Sequence, residues 1–307
     1  MNDKKNKILI TPSSFGELDS EPIDKLVRFG FEVVKNPFGR KITKDELKEL
    51  LPGVIGLIAG LETIDRETMQ KSQLKVISRC GVEMSNIDLE AAKELGIIVK
   101  NTPDAPTVAV AELTLGALLC LLRMIPQMNE ELHQKKWNKK IGFQLAAKTI
   151  AIIGFGRIGR YLAKLLKSFG VRLLAVDPNL NGVVDDVPII SFQEALSQAD
   201  VISLHLSGNK QILGPSEFAL MKNGIFVLNA ARGEVIDENA LIKGLEGGKV
   251  AGAWLDTFEQ EPYQGPLCDF PQFLLTPHVG SYTKECRKRM EMEAVDNLLS
   301  ALKEFGI

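Results

Sequence analysis

The residues 149–166, TIAIIGFGRIGRYLAKLL, are the clearest indication of the fold of this 307-residue chain. A strand-like apolar run precedes Gly154, Gly156 and Gly159, and a helix-like run follows them. In that setting the Gly-x-Gly-x-x-Gly spacing is typical of a dinucleotide site. The first glycine makes a tight turn, the second lets the backbone approach a pyrophosphate, and the third packs helix on strand. A glycine-rich turn with a purely structural role is the alternative.

A second strand-like run, VRLLAVD, follows the helix and ends at Asp177, 18 residues after Gly159. This position predicts a carboxylate that accepts hydrogen bonds from the adenosine ribose. Its charge would repel a 2′-phosphate, so NAD is favoured over NADP as the cofactor. The N-terminus of the helix would offer N–H groups to the phosphates. The predicted cofactor loop comprises Gly154, Phe155, Gly156, Arg157, Ile158 and Gly159.

Short apolar runs alternate with amphipathic stretches along almost the whole chain, which predicts an α/β fold. Before residue 101, runs such as KILIT and LKVISRC alternate with helix-like runs such as TKDELKELL and NIDLEAAKELG. The last of these helices is predicted to start with Asn86 as its N-cap and to end at Gly96. A second series begins at KTIAIIG, after an apolar helix of about five turns. The pattern predicts two doubly wound units with mostly parallel sheets, of the Rossmann or flavodoxin-like kind.

Composition and charge exclude several function classes. The net charge of −2 gives no reason to expect nucleic acid or an anionic membrane as a partner, and HQKKWNKK is only one short basic patch. The apolar run near the N-terminus is too short for a signal peptide, and Leu113 to Leu122 is half of a membrane span of roughly 20 residues. The four cysteines lack a Cys-x-x-Cys pair, so neither a metal site nor a disulfide framework is expected. We therefore expect a cytoplasmic protein.

Three later stretches carry candidate catalytic residues: NAARGEVID, LDTFEQEP and TPHVGS. Each follows a strand-like run, and ligands gather beyond the carboxyl ends of strands in such sheets. Arg232 could grip the carboxylate and carbonyl oxygen of a 2-keto acid, and His278 could donate the proton as hydride reaches the carbon. Glu261, if hydrogen-bonded to the imidazole, would fix its tautomer and raise its pKa.

Each of these residues also has an ordinary structural interpretation. Arg232 could cap a helix, Glu261 could lie in an exposed loop, and Asp256 could be a turn residue at a strand end. His278 could be a loop histidine after a strand-breaking proline. The prediction of a catalytic set depends on their occurrence together with the glycine loop.

The motifs GFGRIG, NAARGEVID, LDTFEQEP and TPHVGS, with LKVISRCGVEMSNIDLEAAKELGIIVKNTPDAPTVAVAEL before them, resemble the D-isomer-specific 2-hydroxyacid dehydrogenase family. Its short phosphoglycerate dehydrogenase-like members are the most similar. The resemblance covers nearly the whole chain and implies an NAD-dependent oxidoreductase acting on a small D-2-hydroxy acid or 2-keto acid. It implies Arg232, Glu261 and His278 as catalytic residues and Asp256 near the nicotinamide amide. It also implies homodimers that pair through the nucleotide domain.

The resemblance further implies a discontinuous substrate-binding domain of residues 1–100 and 281–307, with a Rossmann-type NAD-binding domain of residues 101–280 inserted in it. Beyond the glycine loop, the implied cofactor-binding residues are Asp177, His205, Ala230, Arg232, Asp256, His278 and Gly280. The implied substrate-binding residues are Arg79, Cys80, Gly81, Val82, Arg232 and His278. Because the chain ends at Ile307, we expect no regulatory C-terminal domain of the kind that longer phosphoglycerate dehydrogenases carry.

The loop RCGVEMSN departs from the family pattern, in which a glycine is usual at Glu83 and an aspartate at Ser85. This loop is expected to hold the substrate carboxylate with backbone N–H groups, and a carboxylate side chain there would repel an anionic substrate. Glu83 is either turned to solvent or paired with Arg79, or it is a new specificity element. IAGLETID also lacks a basic cluster for a phosphate, which weakens the prediction of 3-phosphoglycerate as substrate.

The unusual loop at Glu83 leaves a second function class open, an NAD(H)-sensing interaction protein of the co-repressor type without significant turnover. The complete set of Arg232, Glu261 and His278 speaks against it. Turnover on a panel of 2-keto acids separates the two hypotheses, because a binding protein would show none.

Overall fold

Residues 6–307 are described by a computed structural model, and they divide into two compact units. The five residues before Asn6, at the start of the N-terminal run discussed above, lie outside the described residues. The first unit combines the chain up to Pro106 with Tyr282–Ile307, and the second is the continuous segment Thr107–Ser281. Each unit contains a parallel sheet with helices, so the predicted α/β fold class is confirmed.

Five strands alternate with four helices between Lys7 and Asn101. The strands are β1 (Lys7–Ile10), β2 (Glu32–Lys35), β3 (Val54–Ala59), β4 (Val76–Arg79) and β5 (Ile98–Asn101). The helices are α1 (Glu21–Arg28), α2 (Lys44–Leu50), α3 (Arg66–Gln70) and α4 (Leu89–Glu94). All neighbouring strands pair in parallel, in the order β2-β1-β3-β4-β5. Parallel strands need crossover connections, so this arrangement follows from the strand–helix alternation in the sequence.

Helix α4 begins later than the sequence predicted. Its N-cap is Asp88, whose carboxylate accepts the N–H of Ala91 at 2.9 Å, so the prediction of Asn86 as N-cap is wrong. The Asn86 amide instead donates to the carbonyl oxygens of Gly60 and Glu62. Both residue types are good caps. Here the loop after β3 engages the asparagine side chain, which leaves the cap to the aspartate.

The second unit begins with a long helix and is built on six parallel strands. Its helices are α5 (Thr107–Arg123), α6 (Ile125–His133), α7 (Arg157–Leu166), α8 (Phe192–Gln198), α9 (Pro215–Leu220) and α10 (Glu238–Glu246). Its strands are β6 (Thr149–Ile153), β7 (Arg172–Val176), β8 (Val183–Val184), β9 (Val187–Pro188), β10 (Val201–Leu204), β11 (Ile225–Asn229), β12 (Val250–Leu255) and β13 (Phe273–Leu275). The sheet order is β13-β12-β11-β10-β6-β7, and β8 and β9 form a separate antiparallel hairpin. The strand order reverses between β6 and β10, which is where such sheets bind ligands.

Both faces of this second sheet are covered. Along β6, Ala151 and Ile153 belong to one buried cluster, whereas Ile150 and Ile152 belong to another that also contains residues of α5 and α7. Successive strand residues point to opposite faces, so two clusters mean two covered faces. Parallel strands that are buried on both faces have nearly continuous apolar sequences, and the sequence of β6, TIAII, is such a run.

The last helix, α11 (Lys284–Lys303), completes the first unit. It packs against β3, β4 and β5. The Ser78 hydroxyl in β4 donates to the Ala294 carbonyl at 2.8 Å, across 216 positions of sequence. Glu291 is 1% exposed and accepts the N–H of Gly16 at 3.0 Å. The C-terminal helix is therefore part of the core of the first unit.

The boundaries between the units lie at 106/107 and 281/282, slightly later than the predicted 100/101 and 280/281. Thr102 accounts for the first difference. Its N–H donates to the Gly81 carbonyl at 3.0 Å, and its hydroxyl accepts the N–H of Gly81 at 2.8 Å. These bonds keep the segment after β5 attached to the first sheet. The division of substrate and cofactor binding between the two units stays a prediction.

Neither a single membrane-spanning helix nor a metal-ligand cluster is found among residues 6–307. Helices α5 and α6 reach the length and composition of a span only together, and they are bent by 65° at the break between them. The basic stretch after α6 is exposed, with the Trp137 side chain 76% accessible.

Candidate active site

Three glycines after β6 form the turn into α7, and each has a different reason to be glycine. A Cβ on Gly154, whose φ is +92°, would lie 2.6 Å from the carbonyl carbon of His205. A Cβ on Gly159 would lie 2.3 Å from the Gly154 carbonyl oxygen. At Gly156 no atom lies within 4 Å of the Cβ position, and no side chain caps the start of α7. Open space beside an uncapped helix N-terminus fits the pyrophosphate of a dinucleotide.

Asp177 directly follows β7 and connects this strand to the glycine turn. Its Oδ2 accepts the N–H of Phe155 at 3.0 Å, and its Oδ1 accepts the N–H of Asn179 at 3.0 Å. Each carboxylate oxygen has a second lone pair for a ligand hydroxyl. The position thus fits the predicted ribose-binding carboxylate, although the bond to Phe155 was not predicted from the sequence.

The predicted cofactor residues His205 and Ala230 follow the neighbouring strands β10 and β11. The Nε2 of His205 lies 2.7 Å from the hydroxyl of Ser203, which shares its side of the strand. Its Nδ1 is buried and has no hydrogen-bond partner among residues 6–307. Burial lowers the pKa of His205 to about 4, so the imidazole is neutral near pH 7. Because buried polar atoms are nearly always paired, the unpartnered Nδ1 of His205 fits contact with a ligand.

Arg232 lies at the start of a short helical turn after β11. Its Nη1 donates to the carbonyl of Ala231 at 2.6 Å, and its own carbonyl accepts from the Asn229 amide at 2.8 Å. The next residue, Gly233, packs directly on the segment after β12, since a Cβ there would lie 1.9 Å from the carbonyl carbon of Phe258. Backbone contact therefore holds the Arg232 segment beside the loop that leads to Glu261.

Glu261 and His278 form the hydrogen bond that the sequence suggested. The Nδ1 of His278 lies 2.9 Å from Oε2 and 3.1 Å from Oε1 of Glu261. Glu261 also accepts the N–H of Phe258 at 3.1 Å, which fixes the carboxylate on its own loop. The His278 side chain is 51% exposed, so the ring is accessible to a ligand. The backbone of His278 has a φ of +51°, which is uncommon outside glycine.

Asp256 holds the turn that carries His278. It is 2% exposed, and its carboxylate accepts the Thr276 hydroxyl at 2.6 Å, the Val279 N–H at 2.9 Å and the Gly280 N–H at 2.8 Å. The sequence placed Asp256 near the nicotinamide but did not reveal this positioning role. No spacing rule could have found it, because the bonds depend on the shape of the turn after β13.

The predicted substrate loop follows β4 and belongs to the first unit. The N–H of Cys80 donates to the Ala59 carbonyl at 2.9 Å, and the N–H of Gly81 donates to the Thr102 hydroxyl at 2.8 Å. The carbonyl of Val82 accepts from the Asn101 side chain at 2.6 Å. Two of the N–H groups expected to hold a substrate carboxylate are therefore already bonded within the protein.

Arg79 precedes this loop and is buried. It is 7% exposed, and burial lowers its pKa, whereas neighbouring charges that include Glu83 raise it. Glu83 itself is exposed. Whether Glu83 is a specificity element stays a prediction.

Comparison with known proteins gives one consistent family. Residues 115–280 match the family model described as "D-isomer specific 2-hydroxyacid dehydrogenase, NAD binding domain". D-3-phosphoglycerate dehydrogenase of Methanocaldococcus jannaschii is 40% identical over 264 residues, covering 80% of this chain and 49% of that protein. Hydroxypyruvate reductase of Thermotoga maritima is 36% identical over 277 residues, covering 87% of this chain and 90% of that protein. The structure of a D-2-hydroxyisocaproate dehydrogenase has a TM-score of 0.88 at 27% identity, covering 97% of both chains.

The relatives differ in length, so this chain covers different fractions of them. This chain spans about half the length of the phosphoglycerate dehydrogenases that it matches, with 49% of the Methanocaldococcus jannaschii protein covered. It spans nearly the whole of the hydroxypyruvate reductase, of which 90% is covered.

Proposed function

The chain belongs to the D-isomer specific 2-hydroxyacid dehydrogenase family, and we propose that it transfers a hydride between NAD(H) and a small D-2-hydroxy acid or 2-keto acid. The observation that carries this proposal is the 2.9 Å hydrogen bond between His278 and Glu261, in the same unit as the glycine turn. An imidazole oriented by a carboxylate is a common arrangement for moving a proton in catalysis. A nearby dinucleotide site is what a hydride-transfer reaction also requires.

In this proposal His278 moves the proton and Glu261 orients its ring. Because Glu261 engages Nδ1, Nε2 is the ring nitrogen left to donate a proton to the carbonyl oxygen during reduction, and to take it back during oxidation. NAD, when bound, supplies or accepts the hydride. The planar guanidinium of Arg232 suits the substrate carboxylate and carbonyl oxygen, where it would offset developing negative charge.

We propose NAD rather than NADP as the cofactor of the second unit. The support is the carboxylate of Asp177 at the end of β7, which would repel a 2′-phosphate, together with the matched NAD-binding domain model. The first unit would bind the substrate. Its proposed contacts are Arg79, Cys80, Gly81 and Val82.

The alternative of an NAD(H)-sensing interaction protein has no support in the comparisons, whose relatives carry dehydrogenase and reductase names. A protein that only senses the cofactor would not need the hydrogen bond between Glu261 and His278. Oxidoreductase activity therefore accounts for more of the site than binding alone.

Replacing His278 tests the proposed reaction. The wild type should consume NADH with at least one member of a panel of 2-keto acids, and His278→Ala should lower kcat by about 10²–10⁴-fold through loss of the proton donor. The His278 side chain is half-exposed, so the unfolding free energy should change by only about 0.5 kcal/mol. Turnover of His278→Ala at the wild-type rate would show that another group carries the proton. NADH binding without turnover on the whole panel would favour the cofactor-sensing alternative.

We also propose a homodimer that pairs through the second unit and works in the cytoplasm. Exposed apolar side chains concentrate in one segment of that unit, from residue 125 to residue 143, and exposed apolar surface of this kind is typical of protein interfaces. The members of this segment are Ile125, Leu132, Trp137, Ile141 and Phe143, with exposures of 47%, 56%, 76%, 95% and 52%. The free state of all four cysteines is in keeping with a reducing compartment.

A further inference from the structure

The loop between β12 and β13 carries Glu261, and two positions later it turns inward at Tyr263. The ring of Tyr263 is partly buried and packs against the apolar cluster on one face of the second sheet. It stacks on the ring of Phe258, with centroids 4.3 Å apart and an angle of 21° between the planes. Aromatic pairs in such an arrangement are stabilising beyond their buried area. The two rings therefore give this long loop an internal anchor.

The hydroxyl of Tyr263 has a hydrogen bond on each side. It donates to Oε2 of Glu238 at 2.9 Å and accepts the N–H of Leu267 at 3.2 Å. Burial raises the pKa of Tyr263, so the hydroxyl keeps the proton that it donates at neutral pH. A Cβ on Gly265 would lie 2.5 Å from the same oxygen, so the loop folds closely around it. The hydroxyl thus ties the loop both to itself and to α10.

Glu238 lies on the segment that also carries Arg232. It is the first residue of α10, and its side chain is half-buried. Backbone contact between Gly233 and Phe258 already joins this segment to the loop, since a Cβ on Gly233 would lie 1.9 Å from the Phe258 carbonyl carbon. The bond from Tyr263 to Glu238 is a second connection between the same two segments. Two connections prevent the loop from pivoting about either one.

Phe258 connects this anchor to the carboxylate of Glu261. Its N–H donates to Oε1 of Glu261 at 3.1 Å, and the other carboxylate oxygen lies 2.9 Å from Nδ1 of His278. The Glu261 side chain is itself 36% exposed, so packing alone does not fix it. The position of this carboxylate therefore depends on the backbone of Phe258 and, through the stacked rings, on Tyr263.

We propose that Tyr263 and Glu238 are a positioning pair, which holds the Glu261 carboxylate at Nδ1 of His278 and so keeps Nε2 of the ring available for proton transfer. The proposal rests on the proposed function. Neither member of the pair has to touch the substrate or the cofactor, because the pair acts through the loop. Loss of the hydroxyl removes the connection to α10 and lets the carboxylate move away from the ring. Small displacements of a catalytic group lower the rate.

The position of the proton on the His278 ring tests the pair without any turnover. A hydrogen bond from Nδ1 to a carboxylate favours the proton on Nδ1, so nitrogen NMR in alkaline buffer should show mainly the Nδ1–H tautomer in the wild type. The chain has three histidines, and the signal missing from His278→Ala identifies the ring. Glu261→Ala gives the full loss of this preference, and Tyr263→Phe should give about half of that loss. Tyr282→Phe, which removes the same hydroxyl from a ring that is 69% exposed, is the matched control and should give none.

Two changes at Glu238 test the partner of the hydroxyl. Glu238→Gln keeps an acceptor oxygen and should behave like the wild type, whereas Glu238→Leu removes it and should lower the Nδ1–H fraction as much as Tyr263→Phe does. The double variant Tyr263→Phe/Glu238→Leu should be no worse than either single one, because both break the same bond. With an accepted 2-keto acid, Tyr263→Phe should lower kcat about fivefold or more, at a KM for NADH within about twofold of the wild type.

The tautomer ratio decides against the positioning pair in three cases. A wild-type ring without the Nδ1–H preference overturns it, and so does a Tyr263→Phe ring with the ratio of Tyr282→Phe. A lower unfolding temperature at an unchanged ratio also overturns it, since that describes a purely structural anchor. If Tyr263→Phe does not fold, Glu238→Leu gives the answer by the same ratio. A wild type that turns over no 2-keto acid refutes the proposed reaction, while the tautomer ratios still support or overturn the positioning pair.

Discussion

Asp256 positions the imidazole of His278 through the backbone. Its three hydrogen bonds reach the residue two positions before His278 and the two residues after it. A non-glycine residue keeps a φ of +51° only where its surroundings enforce it. The buried carboxylate supplies that enforcement, so the geometry of the proposed proton donor depends on a side chain that need not take part in the proton transfer.

Replacing Asp256 by asparagine tests this dependence. The amide keeps the volume but turns one acceptor oxygen into a donor that faces N–H and O–H groups. We expect Asp256→Asn to lose about 1–3 kcal/mol of unfolding free energy in urea titrations, and to turn over substrate at least about tenfold more slowly because the ring is misplaced. Asp45→Asn, whose side chain is 93% exposed, is the control. Wild-type stability and turnover in Asp256→Asn would mean that the turn holds its shape without the carboxylate.

Single residues differ in how far their roles could be predicted from sequence. The hydrogen bond between Glu261 and His278 was predictable in kind, because both residues follow strands of one parallel sheet. The role of Asp256 was not, since its partners are backbone groups whose positions depend on a left-handed turn. The contact between His205 and Ser203 could have been predicted, because residues two positions apart along a strand point to the same face.

At the scale of elements, the glycine turn and α7 show which features could be predicted from the sequence and which could not. The sequence predicted the strand, the turn and the helix, because their periodicities are local. It did not predict that His205 packs on Gly154, since that contact depends on β10 lying beside β6. The substrate loop is similar: the pairing of Gly81 with Thr102 follows from the neighbouring positions of β4 and β5, which no local pattern specifies.

Two alanine substitutions in the glycine turn should separate cofactor binding from folding. At Gly156 a methyl group meets open space, so Gly156→Ala should keep the thermal unfolding temperature within about 2 °C. It should nevertheless weaken NADH binding about tenfold or more, because the methyl group occupies the pyrophosphate's approach. At Gly159 it would lie 2.3 Å from the Gly154 carbonyl oxygen, so Gly159→Ala should lose about 1–3 kcal/mol of stability. Equal NADH affinity of Gly156→Ala and the wild type would place the cofactor elsewhere.

At the scale of the whole molecule, segment 125–143 is the proposed dimer interface. Light scattering should give the wild type about twice the chain mass of 33.8 kDa, and Ile141→Asp should give the single-chain mass. A charge at a side chain that is 95% exposed does not disturb the monomer core, but it would be buried without a partner in a dimer. Val183→Asp, 69% exposed in the same unit, is the matched control and should remain dimeric. A monomeric wild type, or a dimeric Ile141→Asp, would contradict this assignment.

At this scale the division into two units was foreseeable, because the strand–helix alternation restarts after the long helix α5. The position of the boundary between the units was harder to predict. Thr102 remains with the first unit through two hydrogen bonds to Gly81, and such bonds are invisible to a pattern of apolar residues.

The packing of α11 on β3, β4 and β5 has a consequence for the order of synthesis. The bond from Ser78 to Ala294 closes over 216 positions, and the bond from Gly16 to Glu291 over 275. While the ribosome makes the entire second unit, which is a continuous segment and can form its own core, β3, β4 and β5 lack the helix that packs against them. The nascent chain therefore carries exposed apolar surface on these strands until α11 emerges, and that interval is when it most needs protection from aggregation.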